Sequence, residues 1–493
     1  MIKNKKLLIG AILSAFAGSA HATNGMFSHG YGTANKGLAG AGVASTNQGA
    51  ISSATNPASM AFVGNELTLG LELFAPRRSY ETNDNGGSGF ELFPAGNGTG
   101  NKVESQNDWF GIPSFAYSMK LGGSNLGIAV YGNGGMNAEY RADDTIFGLN
   151  NVGVQTLLAG NGFSQGPFGG GTASIDLSQL FTNLSFASKL SEHSSWGVSL
   201  IFAVQSLKIR GVQSFAGFTE TFNQVFGATL AANGNNIPLA TAAGLAAVDN
   251  MSNQGREYAF GAGGKIGYLT EVMNGVSVGL SYQSKIYMTE YDDYSDLLAE
   301  NGDLDIPATA SVGVTWDLTP KSTLLLDVQY IFYSDVDAIG NSIDKLAGCP
   351  SSGGGTNTAN CFGGDDGAGF GWSDMSIIKL GWEWQSNPEW IWRVGYSHGK
   401  QPIPSSETAL NILAPALIEN HVTFGFTKKI SKNSDFNFAA MYAPKSSVTG
   451  NSVINSTLDA NLDGIPETAA EIAQTTELEM HQYSLEASWS TRW

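Results

Sequence analysis

The chain has 493 residues, of which only 14% are Asp, Glu, Lys or Arg, against about 25% in ordinary soluble proteins. Its 43 acids and 25 bases leave a formal charge of −18, poorly suited to coating a nucleic-acid backbone. Sixty-three glycines without a Gly-X-Y period exclude collagen, and 42% hydrophobic residues with 11% aromatics exclude a disordered acidic tail.

At the start of the chain, Lys3, Lys5 and Lys6 precede an apolar run over 7–17, and Ala20-His21-Ala22 places small residues where a signal peptidase reads. This predicts a secretory signal over 1–22, cleaved before Thr23. The run is too short for a spanning helix, which needs about 20 apolar residues. Loss of three lysines and no acid takes the charge from −18 to −21. No later segment reads as a spanning helix either. The exported chain is therefore a soluble periplasmic or secreted protein, or a barrel in an outer membrane.

Residues 23–64 are rich in Gly, Ala, Ser and Asn and show no clean alternation. They read either as a periplasmic tail or as a plug packed closely inside a confined lumen. From 65 onward, alternation takes over. Leu67, Leu69, Leu71 and Leu73 interleave with Glu66, Thr68, Gly70 and Glu72; Ile378, Leu380, Trp382 and Trp384 oppose Lys379 and Glu383. At the end of the chain, Tyr483, Leu485, Ala487, Trp489, Thr491 and Trp493 share one face and a wholly polar set shares the other. That final strand, stopping on Trp, resembles the C-terminal assembly signal of bacterial outer-membrane barrels.

Alternation alone fits a soluble barrel as well, so loop lengths decide. Strands are predicted at 65–74, 109–121, 125–135, 177–190, 196–210, 256–269, 275–288, 306–317, 322–333, 375–385, 390–399, 420–429, 434–444 and 480–493. Short turns at 122–125, 191–195, 271–274, 319–321, 386–389 and 431–433 alternate with long loops at 75–108, 136–176, 211–255, 289–305, 334–374, 400–419 and 445–479. Short turns on one side and long loops on the other describe an outer-membrane barrel. The expected fold is all-β, a transmembrane antiparallel β-barrel of about 14 strands over 65–493 with 23–64 as a luminal plug.

Several stretches are similar to FadL-type transporters of long-chain fatty acids and hydrocarbons. They are Thr23-Asn24-Gly25-Met26-Phe27-Ser28-His29-Gly30-Tyr31-Gly32, Gly40-Ala41-Gly42-Val43-Ala44 and Ala54-Thr55-Asn56-Pro57-Ala58, with Asn56, Pro57 and Ala58 matching the plug region. Asp176-Leu177-Ser178-Gln179-Leu180-Phe181, Phe370-Gly371-Trp372-Ser373-Asp374 and Gln401-Pro402-Ile403-Pro404 extend the likeness over nearly the whole mature chain. The resemblance implies a fourteen-stranded outer-membrane barrel with an N-terminal hatch. It also implies passive uptake of hydrophobic molecules, caught by extracellular loops and released sideways at a kink in the third strand. The expected partners are long-chain fatty acids or hydrocarbons and the surrounding outer-membrane lipids, with no nucleic acid and a monomeric state. Aromatic or aliphatic hydrocarbons on the same scaffold, or small hydrophilic solutes through a general porin, stay open as alternatives.

Candidate sites follow. Gly132, Gly134 and Gly135 lie in the third strand, where Gly weakens or bends a ladder; ordinary barrel glycines are the plainer reading. Phe215, Phe218, Phe222, Val225, Phe226 and Leu230 crowd the 211–255 loop. Phe218, Phe222, Val225 and Phe226 have the spacing of one face of a short helix, which could catch a ligand or simply pack the loop. Lys265, Lys285, Lys379 and Arg393 fall on the polar face as carboxylate-binding candidates, although acids such as Glu66, Glu72, Asp327 and Glu383 share that face and could pair with them. The resemblance favours Lys285 and Arg393.

Cys349 and Cys361 share one Gly-rich loop, and an oxidising compartment predicts a disulfide between them. The 459–464 stretch has the first half of a calcium loop, but its twelfth position is Ala470, so a solvated loop is expected. No metal or cofactor site is predicted. Nucleophile-elbow, zinc-helix and phosphate-loop motifs are missing, so an enzyme is not expected.

Overall fold

The computed structural model describes residues 23–83, 102–142, 166–168, 170–352, 355–451 and 475–493. The expected signal over 1–22 and the 459–464 stretch lie outside them. Fourteen long strands run round a closed antiparallel sheet. They are β1 (Glu66–Asn83), β2 (Phe110–Leu121), β3 (Ser124–Tyr140), β4 (Ala173–Ser191), β5 (Ser194–Leu207), β6 (Glu257–Met273) and β7 (Val276–Gln283). The second half comprises β8 (Thr309–Thr319), β9 (Ser322–Ile331), β10 (Met375–Asn387), β11 (Trp390–Gly399), β12 (Asn420–Lys429), β13 (Ser434–Asn451) and β14 (Thr475–Arg492). β1 closes on β14 in a register running from Glu66↔Arg492 to Asn83↔Thr475. Closure pairs the first strand with the last, so the sheet has no terminal edge strand. Among the described residues no helix is long and apolar enough to cross a membrane.

The alternation read from the sequence gives the wall its two faces. Leu69, Leu71 and Leu73 point outward and are 52%, 52% and 49% exposed, while Glu66, Thr68 and Glu72 between them are buried. A soluble barrel would reverse that assignment. Near the short turns, stacked pairs Trp382–Trp384 and Trp390–Trp392 join Phe424 and Phe426 in an outer aromatic band, as expected where a barrel meets the membrane interface.

Several strands run further than expected toward the long loops, while β5 ends at Leu207 rather than 210, β7 at Gln283 rather than 288 and β9 at Ile331 rather than 333, and β8 begins at Thr309 rather than 306. β1 continues to Asn83 rather than 74, β3 reaches Tyr140 rather than 135, and β14 begins at Thr475 rather than 480. The reason is that inward positions change character there. Met375 and Ile377 precede Lys379 in β10, and Leu478 and Met480 precede Gln482 in β14, all of them buried. With apolar residues inside as well, the polar–apolar contrast fades. The lumen is thus polar toward the short turns and apolar toward the long loops. Leu410, Ile412, Leu413, Leu417, Tyr291, Tyr294 and Leu298 fold in from two of the loops and join the same apolar cluster. Cys349 and Cys361 form the expected disulfide, with Cα atoms 4.9 Å apart.

Candidate functional site

Residues 23–64 sit inside the barrel, nearly all buried. Small residues let this segment turn in short steps, through α1 (Thr33–Lys36) and the 3-10 turns Ala50–Ala54 and Pro57–Phe62. Its backbone polar groups are answered by inward side chains of the wall. Asp327 Oδ2 accepts from the Gly42 and Val43 amides at 2.6 and 2.9 Å. Thr423 Oγ1 accepts from the Ala39 amide at 2.9 Å and donates to Gly37 O at 3.0 Å. Ser195 Oγ donates to Ala58 O at 2.9 Å. Lys36 forms ion pairs with Glu72 and Glu486, the latter at 3.0 Å. Charged partners make such bonds strong and directional.

The Asn56-Pro57-Ala58 tripeptide shows why these residue types stand together. Asn56 Oδ1 caps the following turn by accepting from the Ala58 amide at 3.0 Å, and Pro57 takes the first position, where no amide is needed. Asn56 Nδ2 donates to Val43 O at 2.7 Å and to Tyr268 O of β6 at 3.2 Å, tying the segment to the wall. The wall gives way with glycine. A Cβ at Gly197 would lie 2.5 Å from Pro57 C, and one at Gly267 would collide with Asn56 Oδ1. Part of the high glycine content is therefore close packing between wall and insert.

The wall has one irregularity of note. Among the described residues, β2 and β3 pair from Leu121↔Ser124 to Phe115↔Val130 and no further. On its other side β3 stays paired with β4 up to Tyr140↔Ala173, with a register shift between Gly132 and Gly134 that bulges Asn133. Near the top, the Gln106 amide donates to Glu139 O at 2.9 Å, and Asn107 Nδ2 donates to Asn137 Oδ1 at 2.7 Å. Between these points, 131–136 lacks a β2 partner. The first residues of the insert stand there instead. The Ser28 amide donates to Asn133 O at 3.0 Å, the Gly135 amide donates to Met26 O at 2.9 Å, and Phe27 bridges Gly134. A Cβ at Gly134 would run into Met26 O. Tyr333 Oη holds the same segment from behind, accepting from the Met26 amide at 3.0 Å and donating to Asn24 O. The register shift falls between Gly132 and Gly134, and the insert's own N-terminus pairs with β3 there.

The four cations all have partners already. Lys379 Nζ donates to His29 O at 3.0 Å and Lys265 Nζ to Ala54 O, so both anchor the insert. Arg393 binds Glu383 and Thr427 at 2.7 Å each and lines a polar vestibule of about 450 Å³ on the short-turn side, with Thr33, Gln48, Glu66 and Arg492. Lys285 lies 3.6 Å from Asp305. Burial, with Asp305 and Glu300 beside it, pushes the neighbouring Asp303 carboxyl up to about 7. Lys265, Lys379 and Arg393 are buried on the inner face, whereas Lys285 falls past the end of β7, beside the exposed Tyr287, so strand parity does not reach it.

The loop aromatics do not share the one helix face that their spacing suggested. Phe218 ends a 3-10 turn (Gln213–Phe218), and α2 (Glu220–Ala232) starts afresh behind the Thr219 cap. Phe215 and Phe222 are buried; Phe218, Val225, Phe226 and Leu230 are half-buried. Phe222 packs against α3 (Ile237–Ala247), whose Gly244 leaves room for its ring. Aromatic burial won over exposure because a second helix was available. The exposed apolar tips in this region are Ile237 and Leu239, at 60% and 46%. The Asn236 cap and Pro238 in the first turn were the sequence signals for α3.

Comparison with known proteins places this architecture. The family described as outer membrane protein transport protein (OMPP1/FadL/TodX) matches over residues 13–477. No curated protein matches significantly. The chain is similar in fold to the toluene transporter TodX of Pseudomonas putida, with a TM-score of 0.59, 16% identity, and coverage of 94% of this chain and 99% of that one. A FadL homologue of Pseudomonas aeruginosa gives a TM-score of 0.59 at 12% identity, covering 95% and 99%. The toluene transporter TbuX of Ralstonia pickettii gives 0.54 at 16%, covering 94% and 99%.

Proposed function

Since the chain belongs to the OMPP1/FadL/TodX family of outer-membrane transport proteins, we propose that it carries hydrophobic compounds inward, releasing them sideways between β2 and β3. The observation that carries this reading is the stretch 131–136 of β3, met at Asn133 to Gly135 by Met26, Phe27 and Ser28 rather than by β2. Detaching that short segment opens a path from the apolar upper lumen into the bilayer, and the rest of the plug stays bolted to the wall. The alternative path, down past the plug, ends in a vestibule lined by Arg393, Arg492, Glu66 and Glu383. Apolar cargo gains nothing there. Loop 211–255, with Ile237 and Leu239 at its surface and Phe215 to Leu230 beneath, is the proposed entry side.

Long-chain fatty acids are the proposed cargo, with aromatic and aliphatic hydrocarbons as the second reading, favoured by the likeness to toluene transporters. At ~0.8 kcal/mol per buried methylene, a sixteen-carbon tail offers a gross ~12 kcal/mol, whereas one charged hydrogen bond nets ~1.5–3 kcal/mol. The tail dominates binding and the head tunes it. Uptake of radiolabelled oleate and toluene by cells lacking their own transporter, with and without this chain, tests the reading. Expression is expected to raise uptake of at least one of them and leave small sugars unchanged. Faster sugar entry with neither hydrophobic compound affected would favour a general porin.

A further inference from the structure

Two buried lysines border a small polar cavity between the insert and the wall, and the wall supplies one acid for the pair. The cavity, of about 30 Å³, is lined by Lys265, Gln283, Asp327, Gln329 and Lys379 of the wall and by Thr55 of the insert. Lys265, Lys379, Asp327 and Gln283 are all buried. Strand register sets who stands beside whom. Asp327 of β9 is the cross-strand neighbour of Lys379 on β10. Lys265 of β6 stands between Ser199 of β5 and Gln283 of β7, both neutral. Among the described residues, Asp327 is the only acid on the cavity's lining. One carboxylate balances one ammonium, and the second is left without a counter-charge.

The hydrogen bonds agree with that imbalance. Lys265 gives one N–H to Ala54 O and Lys379 gives one to His29 O, while an ammonium carries three. Carbonyl oxygens solvate a cation without neutralising it, and the two ammoniums lie within electrostatic reach of each other. Among the described residues, Gln283 Nε2 and Thr55 Oγ1 have no partner. The unmet acceptors, Asp327 Oδ1 and Gln329 Oε1, are too few for all these donors. A buried charge without a partner is costly. Water would answer the donors but supply no charge, and so small a cavity, with room for about one or two water-sized species, excludes sulfate, phosphate or a lipid head. We propose that a monovalent anion of chloride size binds between Lys265, Lys379 and the Gln283 amide and clamps the insert to the wall. The same two lysines hold His29 O and Ala54 O, so the anion fastens two separate turns of the insert at once. This goes beyond the transport reading and does not depend on the cargo.

The full mature chain, crystallised from detergent in sodium bromide and measured at the bromine edge, is expected to show an anomalous peak between Lys265 and Lys379. In solution, the hydrogen-bonded amides of Tyr31, Thr55 and Asn56 should exchange more slowly in chloride than in gluconate of equal ionic strength. The expected ratio is about tenfold when chloride stands at ten times its Kd. Sulfate, too large for the cavity, should behave like gluconate. Lys265→Met removes the surplus charge and should abolish both the peak and the chloride effect. Since that change also frees Ala54 O, the readout is the difference between salts and not the absolute rate. Gln283→Leu keeps both lysines and should shrink the difference, which decides the matter if Lys265→Met does not fold. Heat-modifiable gel mobility checks the folding of each variant. No bromide peak in the parent, or a chloride effect that survives both substitutions, overturns the anion site. A peak with equal exchange in chloride and gluconate marks an adventitious ion only and overturns it equally.

Discussion

Deletion of 23–64 is expected to convert a barrel that passes little ionic current into one with a steady, large conductance. A barrel of eight strands is filled by its own side chains, while sixteen to eighteen leave an aqueous channel; fourteen strands fall between, so the lumen needs an insert to close it. The polar residues that hold the insert, including Asp327, Thr423, Ser195, Glu72 and Lys379, would then face water, where they are tolerated. The outer apolar belt that holds the barrel in lipid is untouched, so the deleted form should still assemble. Planar-bilayer recordings check this. Equal conductance before and after deletion would mean that 23–64 does not close the lumen.

Tyr333→Phe is expected to loosen the plug's N-terminus without disturbing the rest. The hydroxyl serves the Met26 amide and Asn24 O together, and its removal leaves the buried Met26 amide unanswered at about 1–3 kcal/mol, while Asn24 O keeps the Phe27 amide. That corresponds to about a five- to 150-fold rise in the detached population. The ring itself remains to pack on Phe27 and Trp372, at 6.0 and 5.2 Å between centroids. Hydrogen exchange at Asn24 to Phe27 should speed up by that factor, and oleate uptake should rise if detachment limits release. Unchanged exchange at these amides would show that Tyr333 does not hold the segment shut.

Much of the wall was legible because a bilayer and a wet lumen impose opposite demands on successive residues. The Leu67–Leu73 and Tyr483–Trp493 patterns obey that rule, and the strand count followed from alternating turn lengths. The upper lumen was not legible, since Met375, Ile377, Leu478 and Met480 are apolar on the inner face too. Where the β2–β3 ladder stops was not legible, because a ladder's end depends on how two distant segments meet. Gly132, Gly134 and Gly135 marked its location without revealing that Met26 and Phe27 occupy it. The cations show the limit of parity most plainly: Lys265 and Lys379 face inward as expected, and what they meet is plug carbonyl oxygen.

Photolabelling distinguishes the sideways route from a path through the plug. A palmitate analogue bearing a diazirine near its tail end, irradiated during uptake and mapped by peptide mass spectrometry, should mark the rim of the gap at Phe27, Tyr131 and Met136. Adducts concentrated instead on Gln48, Arg393 and Arg492 in the polar vestibule would contradict it, placing the path down through the plug.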